Sequence, residues 1–211
     1  MTRRSALGAG VALQVARSAE VPVRLPKKIR LGMVGFDGHP GEILDPLPRL
    51  PDVELVAVCA EAGAVAKASK NLYVSAAHKY QNLVEMLDKE RLDVVAVCNN
   101  NGERAAAVME CVQRKLNVIS EKPLAINMED FVRVRQNVQR QGVSLGLLVP
   151  MRCEPPFAAL REIVSEGQIG EVIQVSGQKS YRVGQEEWRR TRATYGSTIL
   201  WIGIHMIDLM R

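Results

Sequence analysis

From Ile29 onward the chain alternates short apolar runs with longer amphipathic ones, and this narrows the available folds more than any other feature. Val53–Cys59 (VELVAVC) and Leu92–Cys98 (LDVVAVC) are almost continuously apolar and rich in β-branched residues. Continuous rather than alternating hydrophobicity belongs to strands covered on both faces, as in a parallel sheet flanked by helices. Ile29–Gly35, Leu116–Ser120 and Val143–Val149 read as further strands. Between them lie helical stretches. A short one begins at Pro40 and is cut off by the prolines at 46, 48 and 51; the others are Ala62–Lys70, Asn82–Glu90, Glu103–Lys115 and Met128–Gln141. Asn127 stands where the last of these needs an N-cap, and Gly142 where it needs a stop. In Glu103–Lys115 the face with Ala106, Met109 and Val112 or Val108 is expected to turn inward. This order predicts an α/β fold, a doubly wound parallel sheet over residues 28–152 with its ligand at the carboxyl edge of the strands.

The pattern changes after Pro150. Pro155–Val164 reads as a helix, Glu166–Gly170 as a turn, and Glu171–Lys179 as a strand with Val172, Ile173 and Val175. A polar stretch then leads to a helix from Thr198 to Arg211. One helix, one strand and another helix do not close a core, so residues 153–211 are expected to be the start of an incomplete α/β domain. Either the chain is a fragment, or the missing sheet comes from elsewhere. Residues 1–27 stand apart: Thr2-Arg3-Arg4-Ser5, a short apolar run and small residues near position 19 suggest a twin-arginine export signal or a disordered leader, followed by a linker with Pro22 and Pro26. Export would place the protein in the periplasm, and its absence in the cytoplasm.

The net charge of +5 raises the question of nucleic acid. Much of the excess lies in Lys27–Arg30 and in Trp188–Arg192, and neither forms a long basic stripe interleaved with aromatics. A solvated surface or a dianionic ligand accounts for it without nucleic acid. Cys59, Cys98, Cys111 and Cys153 lie far apart with no CxxC pair, so they are expected to be free, and a zinc site is not expected. No apolar run reaches the roughly 20 residues that a membrane span needs.

The turn after the first strand is Gly35-Phe36-Asp37-Gly38-His39-Pro40-Gly41. Glycines after a strand and before a helix let backbone amides approach a diphosphate, as in a Rossmann domain. The spacing is GxxGxxG, with Asp37 where a second glycine normally stands, and an ordinary strand–helix turn is the competing reading. At the end of the second strand Glu61 is one residue late for a ribose-binding carboxylate, and it serves equally well as a helix cap. No cation follows before Lys67, which slightly favours NAD over NADP. The strand Leu116–Ser120 runs into Ser120-Glu121-Lys122-Pro123. A lysine there can hydrogen-bond a substrate hydroxyl and assist its proton loss.

These residues, with Asn99-Asn100-Asn101, Glu166–Gly170 and Gly203-Ile204-His205-Met206-Ile207-Asp208, resemble the Gfo/Idh/MocA oxidoreductases from about Ile29 to Arg211. The resemblance implies an NAD(P)-binding Rossmann domain, a second α/β domain that carries substrate and oligomer contacts, and hydride transfer with a sugar or cyclitol. It makes Lys122 and His205 the catalytic candidates. Gly35, Phe36, Asp37, Gly38, Gly41, Glu61, Asn99, Asn100, Glu121 and Lys122 are the candidates for holding NAD or NADP. A small polyol or sugar-like substrate and a homo-oligomer are the expected partners.

Three departures count against full activity. Trp201 stands where the family has an aspartate four residues before the histidine, the asparagine stretch lacks its usual proline, and Arg104 replaces a common histidine. By itself His205, on an apolar helix, is as well read as an interior residue. Asp208 is a potential support for its ring but is usually structural in the family. His39 and His78 read as surface or loop residues. Two alternatives follow: a dinucleotide-binding or regulatory protein without turnover, and NAD-dependent glycoside chemistry through transient oxidation.

Overall fold

A computed structural model describes residues 22–211, and the expected leader, up to residue 21, lies outside them. Residues 22–28 form no element but are tied down. The Val23 amide donates to the Arg49 carbonyl at 2.9 Å, and Lys27 Nζ meets Asp93 Oδ1 at 2.7 Å.

Six strands form one parallel sheet: β1 (Ile29–Val34), β2 (Val53–Cys59), β3 (His78–Tyr80), β4 (Val94–Val97), β5 (Asn117–Ser120) and β6 (Leu145–Leu147). Their order is β3-β2-β1-β4-β5-β6. The order reverses between β1 and β4, which opens a crevice at their carboxyl ends. Val95 and Val97 face one hydrophobic layer, with Val108, Val112 and Val134; Ala96 and Cys98 face the other, with Leu31, Met33 and Val58. The apolar runs are continuous because both layers must be filled.

The helices of this half are α1 (Gly41–Leu44), α2 (Ala62–Ala68), α3 (Leu72–Ala76), α4 (Leu83–Lys89), α5 (Asn101–Gln113) and α6 (Met128–Gln141). The α6 boundaries follow from its caps: Asn127 Oδ1 accepts the Asp130 amide at 2.8 Å, and Gly142 turns left-handed at φ 67°. The α5 helix starts two residues earlier than its sequence suggests, because Asn100 Oδ1 caps it by accepting the Gly102 and Glu103 amides, both at 3.1 Å. Its inward face is Arg104, Ala105, Val108, Cys111 and Val112, whereas Ala106 is exposed. That rotation brings a charged residue indoors. The short α3 and β3 carry no apolar periodicity and were not expected. Asn71 caps α3, and β3 is an edge strand paired only with β2.

Beyond Pro150 lie α7 (Pro155–Ser165), α8 (Arg192–Tyr195), a wide π-helical turn at Ile199–Gly203 and α9 (Ile204–Met210). Glu171–Lys179, expected as a strand, forms none. Its alternation suits a pleated ribbon, but among the described residues no strand lies alongside to complete a ladder. The helix expected from Thr198 begins as the π turn, which carries Trp201. No helix of the described residues is long and apolar enough to cross a membrane, and none of their His, Cys, Asp and Glu side chains cluster as a metal site. All four cysteines are free; Cys153 alone is exposed.

Candidate cofactor and proton-transfer site

The loop leaving β1 is shaped by close backbone approach. Gly35 has φ 73° and Gly38 φ 75°. A Cβ on Gly35 would stand 2.5 Å from Asn99 Cα, and one on Gly38 would stand 2.8 Å from Glu121 Oε2. Only glycine fits at either point. The Asp37 amide donates to the Cys98 carbonyl at 2.8 Å, fastening the loop to the end of β4.

A cleft of about 1340 Å³ opens there. Gly35, Phe36, Asp37, Gly38, Glu61, Asn99 and Asn100 all line it, together with Lys67 and Lys70 from the β2 side. Gly41, Glu121 and Lys122 do not line it. Gly41 opens α1, which is a single turn of 4 residues and too short to present a helix dipole to the cleft. Glu61 occupies the N-cap position of α2 but makes no capping hydrogen bond, which leaves its exposed carboxylate at the cleft wall. Burial raises the Asp37 carboxyl above its ordinary value, and Glu103, Glu186 and Glu61 add to this against Arg104.

Glu121 and Lys122 lie behind this cleft, both without exposed surface. Glu121 Oε2 accepts the His39 amide at 2.8 Å and pairs with His39 Nδ1 at 2.8 Å; Oε1 accepts the Lys122 amide at 2.8 Å. The carboxylate therefore clamps the glycine loop to the end of β5. Burial alone would raise its pKa, but the His39 hydrogen bond and charge outweigh this and hold it below the ordinary value. Lys122 Nζ donates to the Trp201 carbonyl at 2.7 Å and sits 3.2 Å from the centroid of the indole ring. Burial pushes this amine down to about 7, with Glu121 opposing and Arg104, Arg189 and Lys179 assisting.

The far side is a roof of aromatic residues. The indole of Trp201 stacks on His39 at 5.4 Å and meets Trp188 edge-on at 5.3 Å; its Nε1 donates to Tyr181 Oη at 3.3 Å. His205 is 4% exposed, lies 6.5 Å from the His39 ring, and its Nδ1 has no partner. Burial lowers its pKa to about 4, with Lys122 assisting. Asp208 does not support the imidazole; it pairs with Arg152, Nε to Oδ2 at 2.8 Å. The roof is docked through α5: Asn101 Nδ2 donates to the Tyr195 carbonyl at 2.7 Å, and Gly102 lies so close to Ala193 that a Cβ would fall 2.0 Å from its carbonyl oxygen.

Comparison with known proteins agrees with this architecture. Residues 29–148 match the Gfo/Idh/MocA family described as an oxidoreductase family with an NAD-binding Rossmann fold, and residues 157–211 match its C-terminal domain. The chain belongs to the Gfo/Idh/MocA family. Inositol 2-dehydrogenase of Salmonella typhimurium is 26% identical over 185 residues, covering 86% of this chain and 52% of that protein. The scyllo-inositol 2-dehydrogenase (NADP(+)) IolW of Bacillus subtilis is 26% identical over 128 residues, covering 60% of this chain and 36% of its own. The WlbA dehydrogenase of Bordetella pertussis, solved with NADH and UDP-GlcNAcA, superposes with a TM-score of 0.74 at 23% identity, over 90% of this chain and 57% of that one. The chain thus spans about half the length of these Gfo/Idh/MocA relatives.

Four residues take roles at the site that the sequence does not announce: His39, Trp188, Arg189 and Arg104. His39 was taken as a loop residue, yet it joins Glu121 to the indole; His78 does lie at the surface, against Glu90. Trp188 and Arg189 belonged to a stretch read as solvated charge, yet Arg189 Cζ lies 4.6 Å from the Trp188 ring and 5.0 Å from that of Trp201. Arg104 is fully buried. The one available signal is the mixed aromatic and basic composition at 188–192, since the contacts that join these residues to the site, His39 to Glu121 and Trp201 and Arg189 to Trp201, are not adjacent in sequence.

Proposed function

We propose that this chain is the cofactor-binding and proton-transfer part of a nicotinamide-dependent dehydrogenase acting on a secondary hydroxyl of a cyclitol or sugar. What supports the reading most is the proximity of a lysine amine held near neutrality to a glycine-lined cleft at the switch point of the sheet. The cleft suits a dinucleotide. Its loop has no room for side chains at Gly35 and Gly38, and the buried Asn99 Oδ1 lacks a protein partner, as an acceptor awaiting a ligand donor would. Glu61 suits the ribose hydroxyls of NAD, while Lys67 and Lys70 offer cations to the extra phosphate of NADP. The substrate class comes from the names of the relatives.

When bound, the nicotinamide accepts or returns the hydride. The chain's own residues manage the proton. During oxidation the Lys122 amine, partly neutral near pH 7, takes the proton from the substrate hydroxyl as hydride leaves the same carbon. His205, neutral at that pH, presents its unpartnered Nδ1 to the reacting oxygen. Glu121 fixes the lysine backbone and does not exchange the proton.

A second reading has its own observation. The Lys122 amine is sealed beneath Trp201, so substrate reaches it only if that contact opens. A protein in which it stays closed binds dinucleotide without turnover. Titrating full-length protein with NAD, NADP and their reduced forms, then adding inositols and sugars, separates the readings. Binding followed by growth of the reduced-nicotinamide absorbance is expected. Binding without that growth favours the second reading, and an empty cleft overturns both.

A further inference from the structure

Arg104 is a guanidinium with no exposed surface, and its partners are carbonyl oxygens rather than carboxylates. Nη1 donates to Asn101 Oδ1 at 2.8 Å and to the Pro123 carbonyl at 2.9 Å, Nη2 donates to the Asn99 carbonyl, and Nε has no partner. Burying an unpaired charge is costly, and a stability role alone would be met better by an apolar side chain. Its position suggests what offsets the cost, because Pro123 follows Lys122 directly and Asn99 ends the neighbouring strand.

We infer that Arg104 is the positioning residue through which this site sets Lys122: it ties the Pro123 carbonyl, one residue beyond the lysine, to the Asn99 carbonyl just past β4, and keeps a positive charge beside that loop. The inference deepens the reading of Lys122 as proton acceptor and rests on it. Two positive charges in one dry pocket repel, so a cation that cannot lose its proton favours the neutral form of the amine beside it. The other charged and titratable groups facing the amine are Glu121, which opposes this effect, Arg189 and Lys179, which add to it, and the rings of His39 and His205. Glu121 is already committed to His39 and to the Lys122 amide, and no ion pair forms between it and the amine.

The test reads Lys122 directly and needs no substrate. In full-length protein labelled with ¹³C,¹⁵N-lysine, the Lys122 side-chain resonance, assigned by its loss in K122R, is followed against pH. The expected midpoint lies far below that of an ordinary lysine. R104Q should raise it by roughly one pH unit, and R104H should do the same in the range where its imidazole is neutral. If R104Q fails to fold, R104H carries the comparison. A wild-type midpoint at the ordinary lysine value, or one that neither neutral variant moves, overturns the inference. Absence of turnover in the substrate titrations would sink the dehydrogenase reading while leaving this measurement to stand or fall independently.

Discussion

The two parts of this chain that meet at the site are built on opposite terms. The sheet and its helices, from Ile29 to Leu147, close their own core: Met33, Val58, Val74, Val95, Val97 and Val108 are 0% exposed. In the stretch after Pro150, α7 buries nothing, and Ile173 is 93% exposed. Yet this second stretch seats Trp201, at 1% exposure, and His205, at 4%, against the glycine loop and Lys122. One part, the cradle, closes a core of its own; the other buries Trp201 and His205 where it covers the cradle. Function at this site therefore belongs to the junction. Changes at the junction should separate activity from stability, whereas changes within the cradle should not.

Lys122→Met offers the largest effect. Loss of the proton acceptor should lower turnover roughly 10²–10⁴-fold while nucleotide affinity stays unchanged. The same substitution should stabilise the fold, because the lysine is buried at a cost. Its folded pKa of about 7 lies below its unfolded value of 10.5, so the unfolded chain binds more protons between those limits. The penalty is greatest below pH 7, fades as pH rises, and is gone above the unfolded pKa. Melting temperatures of wild type and variant should differ most in mild acid and converge in strong base. A variant less stable than wild type at pH 6 would mean that the amine is a structural tie and that the contrast between the two parts is misplaced.

Gly38→Ala comes next. Its Cβ would enter a left-handed backbone position, 2.8 Å from Glu121 Oε2 and 3.0 Å from Trp201 Cη2. The added methyl should wedge the roof from the cradle at a cost of about 1–3 kcal/mol. We expect nucleotide affinity to fall roughly tenfold or more, with tryptophan fluorescence shifting as Trp201 loosens. Unchanged affinity and fluorescence would show that the roof is not coupled to the cleft.

The same division explains what could be read from the residues alone. The sheet was legible because both faces of its strands are filled, which forces runs such as Val94–Val97 to be continuously apolar. The edge strand β3 was not, since His78 and Lys79 are exposed and only backbone pairing with β2 defines it. At the site, Lys122 and Glu121 were legible because proximity along the chain puts them at a strand end. His39 was not, because its role arises from a contact spanning most of the fold, and Trp201 was marked as a departure from the family's aspartate but not as the cover of Lys122. Arg104 was hidden for a related reason: Ala106, two residues on, lies on the opposite side of α5, and the packing of Val108, Cys111 and Val112 on the sheet turns the Arg104 side inward. The π turn at Ile199–Gly203 has no periodicity to reveal it, and it carries the carbonyl that Lys122 uses.

The smallest effects make the sharpest control, with one side-chain helix cap taken from each part. Asn127 Oδ1 accepts the Asp130 amide at 2.8 Å and starts α6, whose 14 residues pack on the sheet core. Thr191 Oγ1 accepts the Thr194 amide at 3.3 Å and starts α8, whose 4 residues face α5 and the cleft. Asn127→Ala should lower global stability by about 1 kcal/mol in urea unfolding and leave nucleotide affinity alone. Thr191→Ala should change the same unfolding curve by no more than about 0.5 kcal/mol. It should weaken nucleotide binding, because Thr191 and Thr194 both line the cleft. If the two substitutions cost the same in both measurements, the parts are one cooperative unit, and the roof is no more separable from the cradle than α6 is.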